Sequence, residues 1–232
     1  MARSNEKETW ADIRLTLNQK YTYDIEWEKA IKLFDDRICN KYFLPLQQLI
    51  VNDTGKGEGF TITTVLCSLI EMFAAFKKGV IYNNQKSSKY EYNKSKELFV
   101  NFLHNASIFR GHFWTQNNGE KKSKDVPYSA AAFYSEVRCS LVHEARTKGD
   151  WHINTLPSSP VSKNATIFIE KKGIKVKIYR TVLYYRLLQH MQDYQNELRK
   201  DSKGSKILRR NFARKMDNLF DFPSDSAYEW WR

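Results

Sequence analysis

An arginine and a histidine five residues apart, Arg138 and His143, stand inside the run Glu136-Val137-Arg138-Cys139-Ser140-Leu141-Val142-His143-Glu144. An imidazole moves protons near neutral pH, and a guanidinium holds an anion with a fixed fork of donors. At about 100° per residue, Val137, Leu141, Tyr134, Ala130 and Ala145 share an apolar arc, and Cys139, His143, Glu136 and Ser140 share the opposite, polar one. His143 therefore faces solvent or a partner. Arg138 falls at the flank of the apolar arc beside Ala131 and Val142, where a cation is costly unless it is paired. The candidate partner within the chain is Glu71, a lone carboxylate in the middle of an otherwise apolar helix.

The helix that carries this pair is expected to begin near Pro127 and to end near Arg146. Glu71 belongs to a stretch, 60–78, that is apolar on nearly every side and closed by Gly79; it reads as the central buried helix. A transmembrane reading of it is set aside because of Glu71 itself, the Thr and Ser content and the absence of an 18-residue uncharged run. Upstream, Asp24 reads as an N-cap to a helix with Trp27, Ala30, Ile31, Phe34, Ile38 and Tyr42 on one face, which Pro45 either ends or follows as the first turn of a short helix. Residues 10–23 receive no assignment. The Gly55, Gly57, Gly59 segment lacks the Gly-Lys-Ser/Thr of a phosphate loop and reads as a connector, and 80–93 and 116–124 read as polar loops. A helix over 95–113 is expected with Leu98, Phe99, Phe102, Leu103 and Ala106 inward and with His104 and His112 on the surface. Trp151 and His152 stand just past the motif helix, Trp151 as a core anchor, ahead of an irregular loop at 155–160. A small β-hairpin is expected at 165–180, followed by a helix capped by Thr181 with Tyr184, Leu187, Leu188, Met191, Tyr194 and Leu198 inward.

From Arg199 to Lys215 eight basic residues face the single acid Asp201. A helix is expected there whose apolar side is Ile207, Leu208, Phe212 and Met216 and whose cations point outward, so that Lys206, Arg209, Arg210, Arg214 and Lys215 form a nucleic-acid surface. The formal charge of +12 over 232 residues favours an anionic partner, nucleic acid ahead of membrane. Cys39, Cys67 and Cys139 lack metal or disulfide spacing and read as reduced thiols, the N-terminus does not read as a signal peptide, and the expected location is the cytoplasm. No cofactor and no metal is expected. The expected division is a helical domain over 1–200, including the hairpin, and a basic helix with an aromatic tail over 201–232 that ends in Trp230 and Trp231.

The R-x4-H spelling of Arg138 and His143 near a helix end, downstream of an apolar helix, resembles the HEPN (higher eukaryotes and prokaryotes nucleotide-binding) domains over about residues 24–200. The resemblance implies a mainly α, HEPN-like helical bundle and a metal-independent endoribonuclease, a toxin or antiphage effector, in which Arg and His of two subunits line one cleft of a homodimer. It also makes an antitoxin or regulatory partner plausible. On that reading Arg138 and His143 are catalytic and Cys139, Glu136, Ser140 and Glu71 support them. His143 acts as base on the ribose 2′-OH or as acid on the leaving 5′-oxygen, and Arg138 holds the phosphate. Residues five apart diverge by about 140° around a helix axis, and two histidines serve acid and base better than one, which also favours two copies face to face. The family usually has Asn, Asp or His directly after the arginine, where this chain has Cys139. That difference supports the alternative, a non-catalytic HEPN-like module that binds RNA or a nucleotide and regulates a partner.

Overall fold

Asp24 accepts hydrogen bonds from the backbone N–H groups of Glu26 and Trp27, both at 3.1 Å, and so opens helix α2 (Ile25–Ile38), which follows α1 (Ala2–Thr16). The computed structural model describes residues 2–17, 21–85, 88–113, 128–155 and 167–222. Pro127, Lys86, the loops 116–124 and 156–160, the first residues of the expected hairpin and the tail with Trp230 and Trp231 lie outside the described residues. The described chain is mainly helical, with two small sheets, and divides into two units.

The first unit takes the described residues of Met1–Lys41, Met72–Asn93 and Met191–Arg232. Here α1 and α2 meet the end of α4 (Glu58–Lys78), the end of α8 (Arg180–Arg199) and all of α9 (Lys203–Leu219). The core is aromatic: the Phe34 ring lies 4.8 Å from Phe76 and 5.5 Å from Phe212, and Trp10 and Trp27 flank Phe212 at 6.4 and 6.5 Å. Each such buried ring contributes roughly 1.5–3 kcal/mol. Among them sits a buried ion pair. Arg14 donates from Nε and Nη2 to Asp217 at 2.7 and 3.0 Å, and Trp10 Nε1 donates to the same carboxylate at 2.9 Å. Position 217 is thus satisfied by α1, so the break expected at residue 201 is not a boundary. Helix α9, which Ser202 caps through Ser205 N, is internal to the first unit and buries Ser205, Arg209, Phe212, Ala213, Arg214, Met216 and Asp217. Residues 80–93, expected as a loop, also contain a two-residue parallel pairing of β1 (Ile81–Tyr82) with β2 (Glu91–Tyr92).

The second unit takes Tyr42–Glu71 and the described residues of Lys94–His190. Between α2 and α3 (Leu44–Val51) the chain does not break at Pro45; it continues through a π-helical turn, Cys39–Phe43, and Pro45 lies in the first turn of α3. Helix α5 (Ser95–Asn105) stops earlier than expected and is followed by a 3-10 turn, Ser107–Phe109. Of the two histidines expected on this surface, His112 is half-buried against Phe168 at 5.0 Å, and its Nε2 accepts from Arg186 Nη1 at 2.8 Å. His104 is half-buried as well. The hairpin is present as β4 (Ile169–Lys172) antiparallel to β5 (Lys175–Tyr179), turning at Gly173, whose φ of +62° suits glycine. A third strand joins it. β3 (Trp151–Asn154) runs parallel to β5, with Trp151 opposite Val176 and Ile153 opposite Ile178. Helix α8 follows β5 directly at Arg180, so Thr181 lies inside the helix and not at its cap.

Helix α4 is long and apolar enough to cross a membrane by length and composition, and 61% of its apolar window is buried within the protein.

Candidate active site

The motif helix is built in three parts. Ser129 caps it by accepting from Ala132 N at 3.0 Å, α6 (Ala130–Ala132) makes one short turn, a π-helical segment covers Phe133–Cys139, and α7 (Ser140–Glu144) completes it. Such widened turns are rare and recur at functional positions. Side chains stabilise this one. Ser140 Oγ donates to Ser135 O at 3.1 Å, and Ser135 Oγ donates to Ala131 O at 3.0 Å. The wider turn rotates Ser140 inward, to 2% exposure, although a uniform 100° step puts it on the polar arc. The helix ends at Glu144, close to the expected end near Arg146, and is closed by Ala145, which adopts a left-handed φ of +53°. The chain then folds back: Lys148 N donates to Glu136 O at 2.9 Å, Thr147 Oγ1 donates to Trp151 O at 2.6 Å, and β3 begins. Trp151 anchors this return, with its ring 5.7 Å from Phe133 and 6.1 Å from Tyr128. It is a core residue, 4% exposed.

Arg138 leaves the π segment and meets α4. Its Nη2 donates to Glu71 Oε2 at 3.1 Å, and the two side chains are 23% and 14% exposed. Four residues before Glu71 on α4, and so on the same face, lies Cys67, whose thiol burial pushes up to about 12. On the motif helix, Tyr134 stands four residues before Arg138, with the guanidinium 5.5 Å from the ring centre. Burial pushes the Tyr134 phenol up to about 12 against the pull of Arg138. For Arg138 itself burial opposes the charge, but Glu71, Tyr134 and Cys139 together more than offset it, and its pKa is raised. The arginine is therefore held as a cation on a half-buried face. One of its terminal nitrogens is engaged by Glu71, and an arginine has five N–H donors.

His143 stands one turn further along and is exposed. Among the described residues no hydrogen bond or ion pair is made by its ring, while its neighbours Glu144, Arg146 and Lys148 are joined by ion pairs, Arg146 to Glu144 at 3.1 Å. The structure thus brings Arg138, Glu71, Tyr134 and Cys139 together and leaves His143 exposed at the end of the same helix, with no hydrogen bond to Arg138 among the described residues. Glu136 is half-buried beside Gly149, and Ser140 serves the helix backbone. Tyr134 and Cys67 were not singled out from sequence as site residues; the signal for them is their i, i+4 spacing to Arg138 and Glu71. Among the described residues no group of three or more His, Cys, Asp or Glu is placed to hold a metal ion.

The basic segment differs from its expected outward face. Arg209 is 0% exposed, with Nε donating to Tyr21 O at 2.6 Å and Nη1 to Lys200 O at 2.8 Å and to Leu198 O. Arg214 is 2% exposed, donates to Gly79 O at 3.0 Å, and burial lowers its pKa to about 10. Lys215 lies over the Phe76 ring at 5.8 Å and is lowered by burial to about 8. The reason is local: carbonyls left over at the ends of α4 and α8 attract buried guanidinium donors. Lys206 is exposed and Arg210 half-exposed.

No protein-family profile, no curated protein and no solved structure matches the chain.

Proposed function

We propose that the protein is a metal-independent endoribonuclease of the HEPN type that acts through Arg138 and His143. The observation that carries this reading is the unequal use of the two residues: Arg138 is fixed and desolvated by Glu71 and Tyr134, and one turn away His143 is exposed with no structural bond among the described residues. A positioned cation and an uncommitted imidazole are what phosphodiester transfer needs from a protein. His143 takes the proton from the ribose 2′-OH as that oxygen attacks phosphorus, and Arg138 holds the non-bridging oxygens as charge develops. The P–O5′ bond breaks, the 5′-oxygen takes a proton from His143 of a second copy, and the products are a 2′,3′-cyclic phosphate and a 5′-OH. In a cell such an activity calls for a restraining partner.

A second reading has its own support. Cys139 in place of the usual polar residue, and a Glu71 that already occupies Arg138, suit a module that binds RNA or a nucleotide without cutting it. The two are separated by incubating single-stranded and structured RNA with the protein in excess EDTA. Cutting that leaves cyclic phosphate ends is the expected result, whereas retained RNA with measurable binding selects the module.

A further inference from the structure

In the first unit, cations and rings gather where α4 ends. The turn depends on Gly79, whose φ is +63° and where a Cβ would fall 2.7 Å from the Asn211 backbone, so α9 approaches closely. Asn211 Nδ2 then donates to Lys77 O at 2.9 Å and Arg214 Nη1 to Gly79 O at 3.0 Å, which fixes α9 against the backbone at the end of α4, where Lys77 and Lys78 are exposed. The Arg214 guanidinium lies 3.8 Å from the centre of the Tyr90 ring, and Lys89 Nζ lies 4.9 Å from it. Across the β1–β2 register, Tyr82 and Tyr92 meet edge to face at 5.5 Å. Tyr82 is 53% exposed, with its hydroxyl held by Asn84 Oδ1 at 2.6 Å, so its ring is oriented and still open to solvent. Arg210, one turn before Arg214, forms no ion pair among the described residues, and its Nε is buried without a hydrogen-bond partner. The acid within the ribbon, Glu91, accepts from Ser88 N at 3.0 Å.

We infer that this face binds single-stranded nucleic acid, with phosphates on Arg210, Lys77, Lys78 and Lys89 and a base stacked on Tyr82. A merely solvated charged surface gives no reason for an oriented tyrosine to remain open on a ribbon whose Tyr90 already carries Lys89 and Arg214. Aromatic faces set between cations suit a strand whose bases are free to stack, which a duplex does not offer. The site lies in the other unit from Arg138 and His143 and is read by binding alone, so it stands or falls apart from the cleavage chemistry.

The test is fluorescence anisotropy on the full chain with labelled oligonucleotides of about 12 nucleotides, within the span of known single-strand sites. The probes are 2′-O-methyl oligouridine and oligothymidine, neither of which carries the 2′-OH that the proposed cleavage uses, and a duplex of equal length. Single strands should bind at least about tenfold more tightly than the duplex, and Tyr82→Ala should weaken them about tenfold while Tyr82→Phe retains binding. Arg210→Ser should lower the log-log salt slope by roughly 0.7. Equal affinity for the two single strands supports recognition through phosphate and base alone, and preference for the ribose probe supports an RNA-adapted form of the same site. A duplex bound as well as a single strand, an unchanged Tyr82→Ala, or binding confined to anionic lipid vesicles overturns the inference.

Discussion

Arg138 does two things at once, and they can be separated by substitution. Replacing it with alanine leaves the carboxylate of Glu71 half-buried without its cation, which should cost about 2 kcal/mol, less than a fully buried pair because both side chains reach solvent. Urea denaturation should show that loss for Arg138→Ala and a change within about 0.5 kcal/mol for His143→Ala, whose side chain lines no core. The pairing was legible in the sequence because each residue is a lone charge among apolar neighbours. The buried roles of Arg209 and Arg214 were not, because besides Asp201 and Asn211 they donate to backbone carbonyls at Tyr21, Leu198, Lys200 and Gly79, which no side-chain pattern reveals. Burial and the nearby Arg186 lower His112 from an ordinary value of 6.5 to about 4. The unfolded chain then takes up a proton below pH 6.5 that the folded chain refuses, so stability should fall as pH drops from 6.5 toward 4 and stay level above. Burial of His104 acts in the same direction. Denaturation midpoints at pH 7.5 and 5 should differ, and by less in His112→Asn; equal drops in the two proteins would remove His112 as the cause.

At the scale of elements, the π segment is what the sequence hid. A regular 3.6-residue pattern located the motif helix and, at Ala130, Val137 and Leu141, its buried side, but Tyr134 is half-buried, Ala145 is exposed, and one widened turn moved Ser140 from the polar arc to the interior. Ser140→Ala should cost about 1 kcal/mol through the bond it gives to Ser135 O, and a stability equal to wild type would mean that the turn needs no such support. The helix end offers the opposite case. Ala145 sits at a left-handed φ where glycine is preferred, so Ala145→Gly should stabilise by roughly 0.5–1 kcal/mol in the same measurement. Strand β3 escaped notice because Trp151–Asn154 is four residues long, too short for alternation to show, and its partner β5 lies more than twenty residues on. The hairpin of β4 and β5, with its lysines alternating against Val176 and Ile178 around a glycine turn, was readable.

For the whole molecule, the two units are interleaved along the chain, which is why composition placed a boundary at residue 201 where the structure has none. Removing residues 201–232 takes away the partner of Arg14 and the ring of Phe212 around which Trp10, Trp27, Phe34 and Phe76 pack. That truncation should give insoluble or unfolded protein by circular dichroism; a soluble fragment with the parent melting curve would restore the separate tail. Conversely, the helical class followed from periodicity alone, and the interleaving did not, because long-range pairings such as Arg14 with Asp217 leave no local trace. The central claim is that His143 moves the protons of RNA cleavage, and single-turnover cutting of one RNA in excess EDTA tests it most directly. His143→Ala should cut roughly 10²- to 10⁴-fold more slowly than the parent while melting at the same temperature. Equal rates for the two proteins, or parental cutting that disappears with EDTA, would contradict it.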